Sequence, residues 1–208
     1  METFIFIIEI IGTIAFSVSG AMIGIEKKMD IFGISILGLT TAVGGGVIRD
    51  LMIGTFPPKT FQNPVYAVVA IVTAIAIFML AYMHKLIYNT RFFNLMIFVM
   101  DSLGLGIFTV VGINTAYEAS HDFSSFLLIF VGVLTGVGGG VLRDMLAGNM
   151  PYVFVKHVYA CASLAGAVIC IYTIDILGMQ QAMILGAFVV VLIRFLSAHY
   201  KWNLPRIK

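Results

Sequence analysis

Charge is the scarcest ingredient of this chain. Only 11% of its 208 residues are Asp, Glu, Lys or Arg, less than half the share usual in soluble domains. Twelve Lys and Arg stand against ten Asp and Glu, a net charge of +2. So weak a field excludes recognition of a polyanion such as nucleic acid. Cysteine is nearly missing too. Cys161 and Cys170 share one apolar run. Their spacing, about two and a half helical turns, puts them on opposite faces, so no disulfide is expected between them. His84, His121, His157 and His199 do not cluster with Cys or carboxylates at ligand spacing, so neither a metal centre nor a cofactor is expected. Neither H-E-x-x-H nor G-x-S-x-G occurs, which argues against an intramembrane enzyme. Met1-Glu2-Thr3 lacks the basic start of a cleaved signal peptide, so the first apolar run counts as a span.

What fills the chain is apolar: 61% of it. Apolar runs at 4–25, 31–54, 64–83, 93–114, 124–147, 157–175 and 179–198 are each long enough to cross about 30 Å of hydrocarbon. Little more than a quarter of the chain remains for loops and tails. The expected fold is an all-α membrane protein of seven transmembrane helices, with residues 1–208 forming one transmembrane domain. Lys27, Lys28, Lys85, Arg91, Lys156, Lys201, Arg206 and Lys208 fall on one side of the membrane, and Lys59 alone falls on the other. This bias predicts an N-terminus outside and a C-terminus in the cytoplasm.

The chain also repeats itself. Gly44-Gly45-Gly46-Val47-Ile48-Arg49-Asp50 returns as Gly138-Gly139-Gly140-Val141-Leu142-Arg143-Asp144, and the match continues through Gly54 and Gly148 to Pro57 and Pro151. Upstream, Glu9 meets Asp101, Gly12 meets Gly104, Phe16 meets Phe108 and Gly20 meets Gly112. Downstream, Val65-Tyr66-Ala67 meets Val158-Tyr159-Ala160. Residues 1–88 and 93–178 therefore read as one unit duplicated, with 179–198 as a seventh helix outside it. Three spans per unit force the second copy to enter from the opposite side. Such inverted three-plus-three repeats recur in transport proteins, with sites at the repeat interface.

Three consecutive glycines disfavour helix. Gly44, Gly45, Gly46 and Gly138, Gly139, Gly140 are expected to break the second and fifth spans. Carbonyls bared there can coordinate a cation. Close helix packing through rows such as Gly38, Ala42, Gly46 and Gly132, Gly136, Gly140 is the competing reading. Thr41 and Thr135, one turn before the triplets, can line a path or bond back to the preceding turn. Arg49, Asp50, Arg143 and Asp144 follow the triplets, and Glu9 and Asp101 lie inside their spans. Intramembrane charges usually face the bundle interior, so these six can line or gate an aqueous path or lock the repeats together as ion pairs. Because neighbouring residues point about 100° apart on a helix, each Arg is expected to pair across helices. Ser17, Ser19, Thr109 and Asn114 suit interhelical hydrogen bonds. Lys59, Lys156 and Arg194 are expected to snorkel.

The paired Gly-Gly-Gly-x-x-Arg-Asp motifs and the three-plus-three-plus-one plan resemble the prokaryotic branch of the trimeric intracellular cation channels. That domain is also known in bacteria as a glycine-transporter-like membrane domain. The resemblance spans about residues 4–198. It implies a homotrimer in membrane lipid, one ion path per subunit, K⁺ and Na⁺ as permeant ions, and kinks at the triplets. The animal members carry a Lys-Glu-Val element after the second helix. Here that region reads Pro57-Pro58-Lys59-Thr60. With no organelle signal, a prokaryotic inner membrane is expected. Two functions remain open on the residues: a passive channel for monovalent cations, or a secondary transporter of glycine or another small solute.

Overall fold

The computed structural model describes residues 2–84, 90–120, 122–155 and 158–202. Lys85, Lys156, Arg206 and Lys208, half of the eight basic residues assigned to the cytoplasmic side, lie outside the described residues, as do His121 and His157. The described chain forms helices α1 (Glu2–Glu26), α2 (Ile31–Met52), α3 (Lys59–Gln62), α4 (Val65–His84), α5 (Thr90–Ala119), α6 (Ser125–Leu146), α7 (Tyr152–Val155), α8 (Tyr159–Leu177) and α9 (Met179–His199). All but the short α3 and α7 are long and apolar enough to cross a membrane. The fourth span, α5, runs past the expected end at residue 114. Asn114 and Thr115 look like a polar boundary in the sequence, but both are buried on α5, and Asn114 donates to the Glu118 carboxylate one turn on.

Local chemistry sets the ends of α2 and α6 in the same way. Asp30 caps α2 by accepting from the Gly33 N–H, and Ser124 caps α6 by accepting from the Leu127 N–H. At the far end of α2, Gly54 takes φ +75°, the Gly54 N–H bonds Leu51 O, and the Thr55 N–H bonds Asp50 O. Gly148, Met145, Asn149 and Asp144 repeat this at the end of α6, with φ +66° at Gly148. This is the six-to-one and five-to-two pattern that closes a helix on a left-handed glycine. The Arg-Asp-x-x-x-Gly segment of the repeat is thus a helix stop.

The glycine triplets do not break their helices: α2 and α6 run as continuous α-helix through Gly44–Gly46 and Gly138–Gly140. The reason is packing. A Cβ on Gly45 would strike the carbonyl oxygen of Thr135, and one on Gly139 would strike that of Thr41. The two helices cross backbone to backbone there, which only glycine permits, and the contact offsets the weak helix propensity. The expectation of bared carbonyls fails with the break, because the ladder stays intact.

A second crossing joins α1 to α5. Phe16 and Phe108 stack at 5.2 Å between centroids. Gly104 lies under Phe16, and Gly12 lies beside Ile107 and Phe108. The α1/α5 and α2/α6 crossings hold the repeats together. α4 packs on α1 and α2, whereas α8 packs on α6 and α9, and α9 also lies against α5. Side-chain bonds recur at matched places. Ser17 donates to Ala70 O, and Thr109, its counterpart, bonds Ser163, which matches Ala70.

Candidate functional site

The two Arg-Asp pairs begin alike. Arg49 Nε donates to Asp50 Oδ1 at 2.8 Å, and Arg143 Nε donates to Asp144 Oδ1 at 2.9 Å. The second carboxylate oxygen accepts a backbone N–H from the returning chain: Lys59 for Asp50 and Tyr152 for Asp144. Each aspartate therefore ties the loop after its helix back onto the arginine. The expectation that each Arg pairs across helices is corrected for Arg49. The long arginine side chain folds back onto its neighbour, overcoming the 100° separation. Among the described residues Asp50 is its one ionic partner.

Arg143 is different. It is wholly buried and also donates from Nη1 to Asp101 Oδ1 and to Ser19 Oγ, each at 2.6 Å. Tyr152 stacks beneath it, with Cζ 5.1 Å from the ring centroid. Arg194 completes this cluster. Its guanidinium lies 4.9 Å from the Phe98 ring and 4.7 Å from the Tyr159 ring. Its Nη2 is 3.8 Å from Asp101 Oδ2. Only 2% of Arg194 is exposed, so it does not snorkel. The rings and Asp101 hold the guanidinium more favourably than a stretched reach through lipid would. Two buried guanidinium groups and two buried carboxylates balance there, each at most 2% exposed.

On the Arg49 side lies a cavity of about 380 Å³. Glu9 and Thr13 of α1 line one wall, with Gly46 and Arg49 of α2 beside them. Tyr66 of α4 and Asn114, Thr115 and Glu118 of α5 face them. Lys59, Thr60 and Asn63 stand at the α3 end, where Lys59 is exposed. The Tyr66 hydroxyl donates to the half-buried Glu9 carboxylate. Among the described residues, no Lys, Arg or His nitrogen comes within 4.0 Å of Glu9.

Of the residues singled out in the sequence, Glu9, Gly46 and Arg49 line the cavity, with Asp50 buried behind them. Arg143, Asp144 and Asp101 gather in the closed cluster. Thr41 and Thr135 do not line it. Their buried hydroxyls donate to Leu37 O and Val131 O one turn back. Gly45 and Gly139 sit at the helix crossing, Gly44 beneath Leu142, Gly138 against Gly45, and Gly140 beside the Tyr159 hydroxyl. Sequence reasoning missed Tyr66 and Thr13 as lining residues. The repeated Val-Tyr-Ala triplet was the available signal for Tyr66. Thr13 carried none, because nothing in an apolar span marks which face meets a cavity.

Comparisons with known proteins agree on one group. The family described as Glycine transporter matches residues 6–82 and 98–175. The UPF0126 inner membrane protein YadS of Escherichia coli K12 is 33% identical over 95% of this chain and 93% of its own. Among solved structures, a prokaryotic TRIC channel crystallised in 0.5 M KCl is 31% identical, with a TM-score of 0.88 over 98% of this chain and all of that one. The trimeric intracellular cation channel orthologue of Rhodobacter sphaeroides is 30% identical, with a TM-score of 0.85 over 95% of this chain and 98% of that one.

Proposed function

The chain belongs to the Glycine transporter family, and on that premise we propose that it is a cation channel of the prokaryotic inner membrane. The observation that carries this reading is the cavity lined by helices of a single chain, with the Glu9 carboxylate on its wall. An intramembrane carboxylate without a basic partner concentrates cations and repels anions. The similar solved structures are described as TRIC cation channels, which supports the same conclusion. The permeant ions are K⁺ and Na⁺. The assembly is a homotrimer, with one pathway through each subunit. The two repeats are inverted in the membrane, and with the N-terminus outside the cavity faces the outer side. The pathway starts at Glu9, Gly46 and Arg49, and the tightly packed region around Gly44, Gly45, Thr41 and their mates Gly138, Gly139, Gly140 and Thr135 forms its constriction. Asp50 and Asp144 hold the charged walls in place.

Planar-bilayer recording of the purified protein under a KCl gradient tests this. Discrete current steps that reverse near the K⁺ potential are expected, and a silent bilayer with inserted protein overturns the reading. Mass measurement in detergent is expected to return three chains. The family description favours a second reading, a carrier of glycine. Saturable glycine uptake with counterflow in liposomes, without current steps, would support it.

A further inference from the structure

The repeat lets one end of the molecule be read against the other. Glu9 matches Asp101, Phe6 matches Phe98 and Tyr66 matches Tyr159. In the first repeat the carboxylate accepts from its tyrosine, and Phe6 and Tyr66 lie close, at 6.2 Å between centroids. In the second repeat the tyrosine and the phenylalanine instead take the Arg194 guanidinium against both rings, with Asp101 facing it. The Tyr159 hydroxyl and Asp101 Oδ2 are both buried, and neither has a hydrogen-bond partner among the described residues.

Arg194 belongs to α9, the one span outside the repeat, so the first repeat has no counterpart to it. The charge count differs accordingly. Arg143 and Arg194 balance Asp101 and Asp144, whereas Arg49 balances only one of Asp50 and Glu9. Lys59, the other cation on the cavity wall, is exposed and does not reach Glu9.

We propose that Glu9 and Tyr66 form a binding site for a small monovalent cation, and that the Arg194 guanidinium is a tethered cation filling the matched site of the second repeat. α9 thus supplies to one end of the molecule, by covalent attachment, what solution supplies to the other. In this arrangement the path continues from the Glu9 end through the place Arg194 holds, and the arginine acts as its plug. This deepens the channel reading, on which the current measurements rest. The binding measurements do not need it.

The test is Arg194→Ala in the full chain, with methylguanidinium chloride as the probe. Removing the tethered cation is expected to lower the melting temperature in detergent. Methylguanidinium at ~10 mM is expected to recover much of that loss, by binding the folded state alone. The same concentration of methylurea, which is planar but uncharged, should recover none, and wild type should not respond to methylguanidinium. In bilayers Arg194→Ala is expected to open severalfold more often than wild type, and methylguanidinium should block the variant selectively. Glu9→Gln should lower single-channel conductance severalfold at low KCl while leaving the melting temperature near wild type. If Arg194→Ala does not fold, Arg194→Gln carries the same readouts, since it retains part of the stem over the rings without the charge.

A melting loss that methylguanidinium and uncharged methylurea affect alike would make Arg194 a purely structural residue and overturn the proposal. Unchanged conductance in Glu9→Gln would remove the cation site. A silent wild type with methylguanidinium rescue of Arg194→Ala would sink the channel reading and leave the tethered cation standing.

Discussion

The two ends of the molecule share a motif and differ in what surrounds it. Around Arg49 and Arg143 the helix stop, the Asp clamp and the returning loop coincide bond for bond. Yet one arginine borders a cavity and the other is sealed. The difference lies in the neighbours. Arg143 has Ser19 to bond, where the matched place beside Arg49 is Val111. The cavity wall carries Thr13, Asn114 and Thr115, where the matched positions are Leu105, Met22 and Ile23. All three of those are buried in apolar clusters. A duplicated motif therefore fixes the loop geometry and leaves the local solvent to residues outside it.

The sharpest way to break the comparison is to remove each arginine. Arg143→Met leaves Asp101 and Asp144 buried without their main partner, so a loss of ~3–5 kcal/mol is expected. Arg49→Met is expected to lose only about 1–3 kcal/mol, because one buried carboxylate instead of two loses its partner and the Lys59 N–H still holds Asp50. Unfolding titrations in detergent should separate the two variants, and equal losses would mean that the second carboxylate beside Arg143 does not set the cost.

Next come the glycines. Gly45→Ala and Gly139→Ala each drive a methyl into a backbone carbonyl across the crossing, so losses of ~1–3 kcal/mol are expected at both. At Gly46 an added Cβ meets nothing nearer than the Arg49 guanidinium at 3.7 Å. Gly46→Ala should therefore be neutral or stabilising by up to about 1 kcal/mol. Thermal unfolding of the three variants decides whether the triplet acts through packing.

A gentler change makes one end resemble the other. Replacing Asn114 by Met and Thr115 by Ile copies the matched Met22 and Ile23 of the first repeat onto the cavity wall. The double variant is expected to fold with a stability change within ~1 kcal/mol and to lose most of its single-channel conductance. Full conductance would show that these polar walls do not keep the path wet. The smallest effect is expected at Thr41→Val and Thr135→Val, about 0.5 kcal/mol each, because each removes a bond back to its own helix. Equal losses are the expectation here, since this feature is the same at both ends.

Much of the fold was legible before any coordinates. Seven spans follow from apolar length alone, and the paired motifs show where charge gathers. The site was legible only in part. Glu9 and Arg49 stood out because charge inside a span is rare, whereas Tyr66 and Thr13 did not, because residues of these types also pack ordinary helices. Arg194 was misjudged for a related reason. Near a span end in the sequence, a snorkelling arginine and a buried one look the same, and only the Phe98 and Tyr159 rings tell them apart.

By itself, then, the sequence determined the membrane class, the seven spans, the duplicated motif and the left-handed glycine stops at Gly54 and Gly148. These depend on hydrophobic length and local backbone chemistry, which neighbouring residues carry within themselves. The tertiary structure decided that the glycine triplets pack instead of unwinding, that Arg49 turns to Asp50, and that Arg194 lies buried beside Asp101. It also decided that one end holds a cavity while the other is filled. Each of these outcomes depends on which distant side chain occupies the adjoining space, and a linear order of residues does not contain that information.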